Sequence, residues 1–459
     1  MLKEDIMCFV RGLVDYTELR VQRNTETQIK LLNGNVIENQ RKENTGVSSR
    51  VRYKGMWGFA SSPILTNNEI IDVIDKATTN AKILGEKRNI SFQELSVHNE
   101  ESSLNLSSDD SFYSSQQLMI FLCEIDTFIL KECSEIKSRT VYYSGRDIEK
   151  NLVTSQGASS YSLIPSSYIT VTMKLDHHEE VISFSDNIGG TRDFNEVFSN
   201  KEIVFDKVRE IYKHLLAKRD AIQVKAGQYD VILTGGLSGM LAHEAIGHPT
   251  EADVVLGGSV ATDNIEKQVA SDLITLIDFA NQYNGEYCPF PVFIDDGGVT
   301  ACDVTIIKNG VLKGYMHNRE TALKFKVKPT GNARAYTYGD IPLIRMRNTA
   351  ILPGDSTLDE MIKSIDKGYY LMNTNKGQAD TTGEFMFGVT LGYEIIDGKL
   401  GKAINDTTIS GFAFDVLKSV SMVANDMTWD ASGLCGKMQP MPTASGGPTI
   451  KCRINIGGN

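Results

Sequence analysis

An α+β fold with antiparallel sheets is what this sequence predicts, and three features predict it. Asn-Gly or Asp-Gly pairs stand between strand-like segments at 33–34, 309–310 and 397–398, and these residue types tolerate the positive φ of a tight hairpin turn. Helix-like stretches come in separate blocks. The regular strand–helix–strand alternation that a doubly wound parallel sheet requires is missing.

Taken in order, a short helix opens the chain, and residues 28–32 and 35–39 form the arms of the first hairpin. Residues 47–59 alternate and predict a second strand pair, after which 66–84 switch to helical spacing with Ile70, Ile71, Ile74, Ala77 and Ala81 on one side. The polar stretch 85–110 is expected to be a connection, 114–136 a helix, 139–186 a β-meander and 194–219 an amphipathic helix. Beyond 225–228 strands predominate, at 229–233, 292–294, 304–308, 311–315 and 393–396. The expected organisation is an N-terminal α+β region, 1–224, with subdomains near 1–90 and 110–224, and a C-terminal domain, 225–459.

Composition narrows the function. A chain of 459 residues exceeds one typical core, and 41% hydrophobic with 23% charged residues is ordinary for a folded, soluble protein. A net charge of -11 disfavours a broad phosphate-binding surface, so no nucleic-acid partner is expected. The one basic stretch, 324–328, is interleaved with apolar residues and reads as a solvated or partly buried strand. Seven cysteines, an odd number without closely spaced pairs, predict reduced thiols. No signal-peptide pattern and no run of about 18 apolar residues is present, which points to the cytoplasm and away from membranes.

The chemistry concentrates in His243-Glu244-Ala245-Ile246-Gly247-His248. A His-Glu pair followed by a second His on one helix is a hydrolytic zinc pattern, with Glu acting on the water at the metal. The usual spacing is four residues; here it is five, and on an α-helix five residues rotate roughly 140° past a full turn. The expected remedy is an early helix end at His248, with Gly247 loosening the last turn and Pro249 disfavouring helical backbone at His248. Gly239 and Gly247, four residues either side of His243, would keep its face open. The competing arrangement is a stripe of Glu244, His248 and Glu251 forming ion pairs without metal.

Catalytic zinc generally takes three protein ligands and a water. His98, His177, His178, His214 and His317 are available, but Cys435, between Gly433 and Gly436 in an expected flexible loop, is the favoured third donor. Glu251 and Asp253 are next in line. Cys452 alternates with Ile450, Ile454 and Ile456 and reads as a core thiol.

Several further motifs follow in series: Trp57-Gly-Phe-Ala-Ser61, Asp295-Asp-Gly297, Asn309-Gly-Val-Leu-Lys-Gly-Tyr315, Arg319-Glu-Thr321, Gly331-Asn-Ala-Arg334, Asn348-Thr349, Pro353-Gly-Asp355, Thr382-Gly-Glu-Phe385 and Cys435-Gly-Lys437. With the His-Glu…His helix, this series resembles the TldD/PmbA peptidases, and its intact metal motif resembles the catalytic TldD-like branch. The resemblance implies a zinc metallopeptidase with ligands His243, His248 and Cys435 and Glu244 as base. It implies an extended or unfolded peptide substrate, as in leader-peptide trimming or degradation of labile proteins. It also implies a homodimer, or a heterodimer with a PmbA-like (TldE) paralogue. The alternative is a non-catalytic partner or regulatory subunit of the same family. Two stretches depart from the family pattern: Met438, and 341–347, which reads Ile-Pro-Leu-Ile-Arg-Met-Arg. Both are expected to line or support the substrate cleft.

Overall fold

A computed structural model of the chain describes residues 5–87, 92–108, 114–178 and 180–457. After a 3₁₀ turn, Met7–Phe9, the first sheet begins with β1 (Tyr16–Leu32) and β2 (Asn35–Tyr53). They are joined at Asn33 and Gly34, with φ of 49° and 80°, the left-handed pair that a tight hairpin demands. Lys54 and Gly55 repeat the device before β3 (Met56–Ser62). Helix α1 (Asn67–Lys87) lies on this hairpin so closely that a Cβ at Gly58 would sit 2.0 Å from the carbonyl oxygen of Ala77. Its buried face holds Ile70, Val73, Ile74, Ala77 and Ala81; Ile71, expected on that face, is 49% exposed.

The part of 85–110 within the described residues is not only a connection. Strand β4 (Glu101–Asn105) adds parallel to residues 159–163 of the meander. Helix α2 (Ser115–Glu132) starts at Ser114 with a reciprocal capping box to Gln117. Strands β5 (Ser138–Thr154), β6 (Ser159–His177) and β7 (Glu180–Gly190) give the expected meander, in the order β3-β2-β1-β5-β6-β4 with β7 on β6. The single helix expected over 194–219 is two, α3 (Phe194–Val197) and α4 (Lys201–Arg219), because Asn200 caps a new start. Leu122, Ile125 and Ile129 of α2 and Val208 and Ile211 of α4 bury against Ile29, Val141 and Val171 of the sheet.

In the C-terminal half, β8 (Gly227–Leu233) pairs parallel with Lys367–Ala379 and antiparallel with Ile450–Gly457. Thr407–Phe412 and Glu384–Ile396 continue the sheet, and the latter pairs back to Lys367–Ala379, closing a ring of five strands. A second sheet runs Val311–Leu312, Val304–Lys308, Leu276–Phe279, Asn348–Ile351, Ala444–Gly447, Thr428–Asp430. The class is α+β, with three parallel pairings where only antiparallel ones were expected. Residues 292–294 form no strand beyond the bridge Ile294–Thr300. The basic stretch 324–328 is not a strand: helix Arg319–Phe325 runs into it and ends at Lys326, φ 56°. Among the described residues no helix is long and apolar enough to cross a membrane.

Candidate metal centre

Strand β8 runs directly into a helix. Thr234 is its extended N-cap residue, and α5 (Gly235–Met240) begins at the two glycines expected as a turn. Gly235 is needed for close approach, since a Cβ there would lie 2.1 Å from Thr428 Oγ1 and 2.4 Å from the carbonyl of Gly447.

From Leu241 to Gly247 the helix is π-helical, and one 3₁₀ turn, His248–Thr250, follows. The N–H of His248 donates to the carbonyl of His243. An i→i+5 bond brings residues five apart to the same side of the helix, where the two imidazole centroids lie 5.3 Å from each other, and such π segments recur at functional sites. This resolves the five-residue spacing by a route the sequence argument did not foresee. The helix does not end early: His248 has φ -58° and ψ -48°. Pro249 lacks the N–H that an α-helical bond to Ala245 would need, which weakens the tighter register. Nor do the flanking glycines clear space for a ligand. A Cβ on Gly239 would meet the Gly446 backbone at 2.9 Å, and one on Gly247 would meet Met346 Sδ at 2.0 Å. Both let the helix press against its neighbours.

Cys435 comes from the far end of the chain. It lies on a strand, Leu434–Lys437, paired with Gln439–Pro442, and not in a flexible loop; the turn residue Met438 has φ 61° and is 95% exposed. One donor atom each from His243, His248 and Cys435 lies within 4.8 Å of the others, and among the described residues this is the one such group. Cys435 Sγ is 2.9 Å from His248 Nε2, while His243 Nδ1 is buried without a hydrogen-bond partner. Two imidazoles and a thiol whose donor atoms converge are a donor set suited to zinc. Glu244 Oε2 stands 3.9 Å from His248 Nε2, with its side chain partly exposed.

The electrostatics favour a thiolate. Burial opposes it, but hydrogen bonds from His243 and His248 outweigh burial and bring the Cys435 thiol down to about 5. Burial likewise opposes charge on His248, yet Cys435 and then Glu251 raise it to about 10. Glu251 is completely buried, 3.3 Å from His248 Nδ1 and 2.8 Å from Lys437 Nζ. Burial resists its ionisation; His248 and Lys437 overcome that and lower its pKa. A carboxylate behind the second ring nitrogen fixes the orientation of a ligating imidazole. Glu251 therefore stands behind His248, while Asp253 is occupied by Lys437 at 2.7 Å.

The other candidate donors lie elsewhere. His317 is buried beside Thr321 and Phe325, and His214 contacts Tyr393. Cys452 sits in the barrel core, where burial pushes its thiol up to about 12. Sequence reasoning missed Lys437 and Arg345 as supports of the site. Arg345 is fully buried and donates to the carbonyls of Cys435 and Gln439 at 2.7 and 2.8 Å. The departure from the family pattern at 341–347 was the available signal. Its other arginine, Arg347, pairs with Asp278 at 2.9 Å, both side chains wholly buried.

Known proteins share this architecture. The profile of the PmbA/TldA metallopeptidase C-terminal domain matches residues 226–458, and that of domain 1 matches 17–81. A metalloprotease of Methanocaldococcus jannaschii is 31% identical over 95% of this chain and 96% of its own. A zinc metalloprotease TldD homolog of Saccharolobus solfataricus is 31% identical over 90% of each. The crystal structure of TldE from Thermococcus kodakarensis superposes with a TM-score of 0.75 at 17% identity over 100% of both chains. A Thermotoga maritima protein described as a modulator of a DNA gyrase gives 0.74 at 20% identity over 96% of each.

Proposed function

The chain belongs to the TldD/PmbA metallopeptidase family, and from that premise we propose that it is a zinc-dependent peptidase whose ion is held by His243, His248 and Cys435. The observation that carries this reading is the convergence of those three donors from segments about 187 residues apart. When bound, the ion supplies a Lewis acid that polarises a peptide carbonyl and acidifies water.

The protein's own groups do the rest. Glu244 accepts the proton of the attacking water and returns it to the leaving amine. Glu251 holds His248 through Nδ1, and Lys437 offsets the charge of Glu251. The strand carrying Cys435 offers a site for extended peptide. Pro440 and Pro442, opposite Gly436 and Leu434, have no N–H, so those pairs cannot exchange both ladder bonds. Each of these pairs keeps at most the bond in which the proline carbonyl accepts, and Leu434 and Gly436 are exposed. A substrate backbone pairing there would be bound with little regard to its side chains. In this reading the chain works as a dimer, with itself or with a TldE-like paralogue, on unfolded or extended peptides.

Glu244→Gln tests it. Zinc should remain near one per chain by elemental analysis while turnover of an unstructured peptide falls about 10³-fold. Full activity in that variant ends the general-base role. A wild-type protein that retains no zinc and cleaves nothing, alone or with its paralogue, favours the non-catalytic reading.

A further inference from the structure

The hairpin that carries Cys435 is held by a partly buried polar chain that starts in the N-terminal sheet. Gln22 Nε2 and Asn24 Nδ2, both on β1, donate to the carbonyl of Tyr336 at 2.6 and 2.7 Å. The N–H of Tyr336 donates to Gln439 Oε1 at 2.8 Å, and Gln439 Nε2 donates to the carbonyl of Ile341 at 2.9 Å. The guanidinium of Arg345 then spans the hairpin, one arm to Gln439 O and one to Cys435 O. Among the described residues no carboxylate forms a salt bridge with Arg345, and its two terminal nitrogens donate to carbonyls of the strand pair that presents the thiol. The planar fork of arginine suits two acceptors at fixed separation, which a flexible ammonium does not.

Resting on the zinc reading above, we propose that Arg345 and Gln439 are positioning residues: they clamp the Cys435 strand against the histidine pair and tie its placement to β1 through Gln22 and Asn24. Neither touches a reacting atom. Their effect is on where the sulfur sits before metal arrives, so it is measurable in metal-free protein.

The test uses the full chain with the exposed Cys8, Cys123 and Cys302 replaced by Ser. Zinc affinity is read by competition with a chromophoric chelator, and in metal-free protein the rate of Cys435 modification by a disulfide reagent is read separately. Gln439→Leu should weaken zinc binding and speed thiol modification, each about tenfold, with a thermal midpoint close to that of the parent. Arg345→Gln should do more, and Arg345→Lys should fall between it and the parent. Asn24→Ala, on the distant sheet, should speed modification about threefold. Folded Gln439→Leu with both readouts unchanged overturns the clamp, whatever Arg345→Gln does. If Arg345→Gln does not fold, Gln439→Leu and Asn24→Ala decide. If the parent binds no zinc, the metal assignment fails while the thiol-modification arm still tests the clamp.

Discussion

The helix-covered face of the N-terminal sheet and the candidate site of the C-terminal half are organised by different physics. The N-terminal sheet is a succession of neighbouring hairpins whose turns carry left-handed residues and whose helices bury aliphatic faces. The C-terminal half also has an apolar core, but its site is held by buried charge: Arg347 with Asp278, Glu251 with Lys437, and Arg345 on carbonyls. Burying charge stabilises little on balance, and removing one partner is costly. What it provides is directionality, which a metal site needs and an aliphatic core does not. Mutations in the aliphatic helix faces of the first region should therefore cost stability alone, and those in the second should alter the chemistry as well.

The largest expected effect lies in the second region. Asp278 accepts from Arg347 Nε, from the backbone N–H groups of Arg347 and Asn348, and from Asn332. Asp278→Ala strands a buried guanidinium and should cost about 3–5 kcal/mol in urea unfolding. Replacing both partners, Asp278→Leu with Arg347→Met, should recover a large part; no recovery would mean the backbone bonds to Asp278 matter more than the ion pair.

Next comes the matched cut in the first region. Leu122 of α2 is completely buried, and Leu122→Ala should cost about 2–5 kcal/mol while leaving zinc content at its parental value. Zinc loss here would break the contrast between the halves. Gly247→Ala is smaller in stability and larger in consequence. The new methyl meets Met346 Sδ in a packed site, an overpacking of about 1–3 kcal/mol that pushes on the π segment. Zinc affinity should fall with it, and Met346→Ala in the same chain should restore both.

The same contrast explains what could be read from the sequence. Asn33-Gly34 and the spacing of Ile70, Ile74, Ala77 and Ala81 declare a turn and a helix face locally, and the structure follows them. The residue types His243, Glu244, His248 and Cys435 are equally visible; the fold brings donor atoms of the two histidines and Cys435 within 4.8 Å of one another, with Glu244 3.9 Å from His248. The means of convergence is not visible. A π-helical turn depends on Gly239 and Gly247 packing against Gly446 and Met346, contacts that no local pattern encodes. The glycines beside Cys435 predict a loop, whereas Pro440 and Pro442 sit where a two-stranded hairpin tolerates them. Arg345 and Lys437 act on partners about 90 and 184 residues distant, beyond the reach of periodicity.

The smallest expected effect sharpens the comparison through pH. His317 is buried against Thr321 and the Phe325 ring, and burial lowers its pKa from 6.5 to about 4. Its neighbour Met316 shares backbone hydrogen bonds with Thr250 and Ala252, either side of Glu251. With the folded-state pKa below the unfolded one, the unfolded chain binds a proton that the native protein does not. The contribution is thus fully present above pH 6.5 and is lost as pH falls through about 4. Between pH 7 and 5 the metal-free protein should lose on the order of 1–2 kcal/mol more stability than its His317→Gln variant. Urea unfolding at the two pH values measures the difference, and the shared titrations of Cys435 and His248 cancel in it. An equal loss in both proteins would mean that His317 is solvated in the native state, and that the segment behind Glu251 is held by its backbone alone.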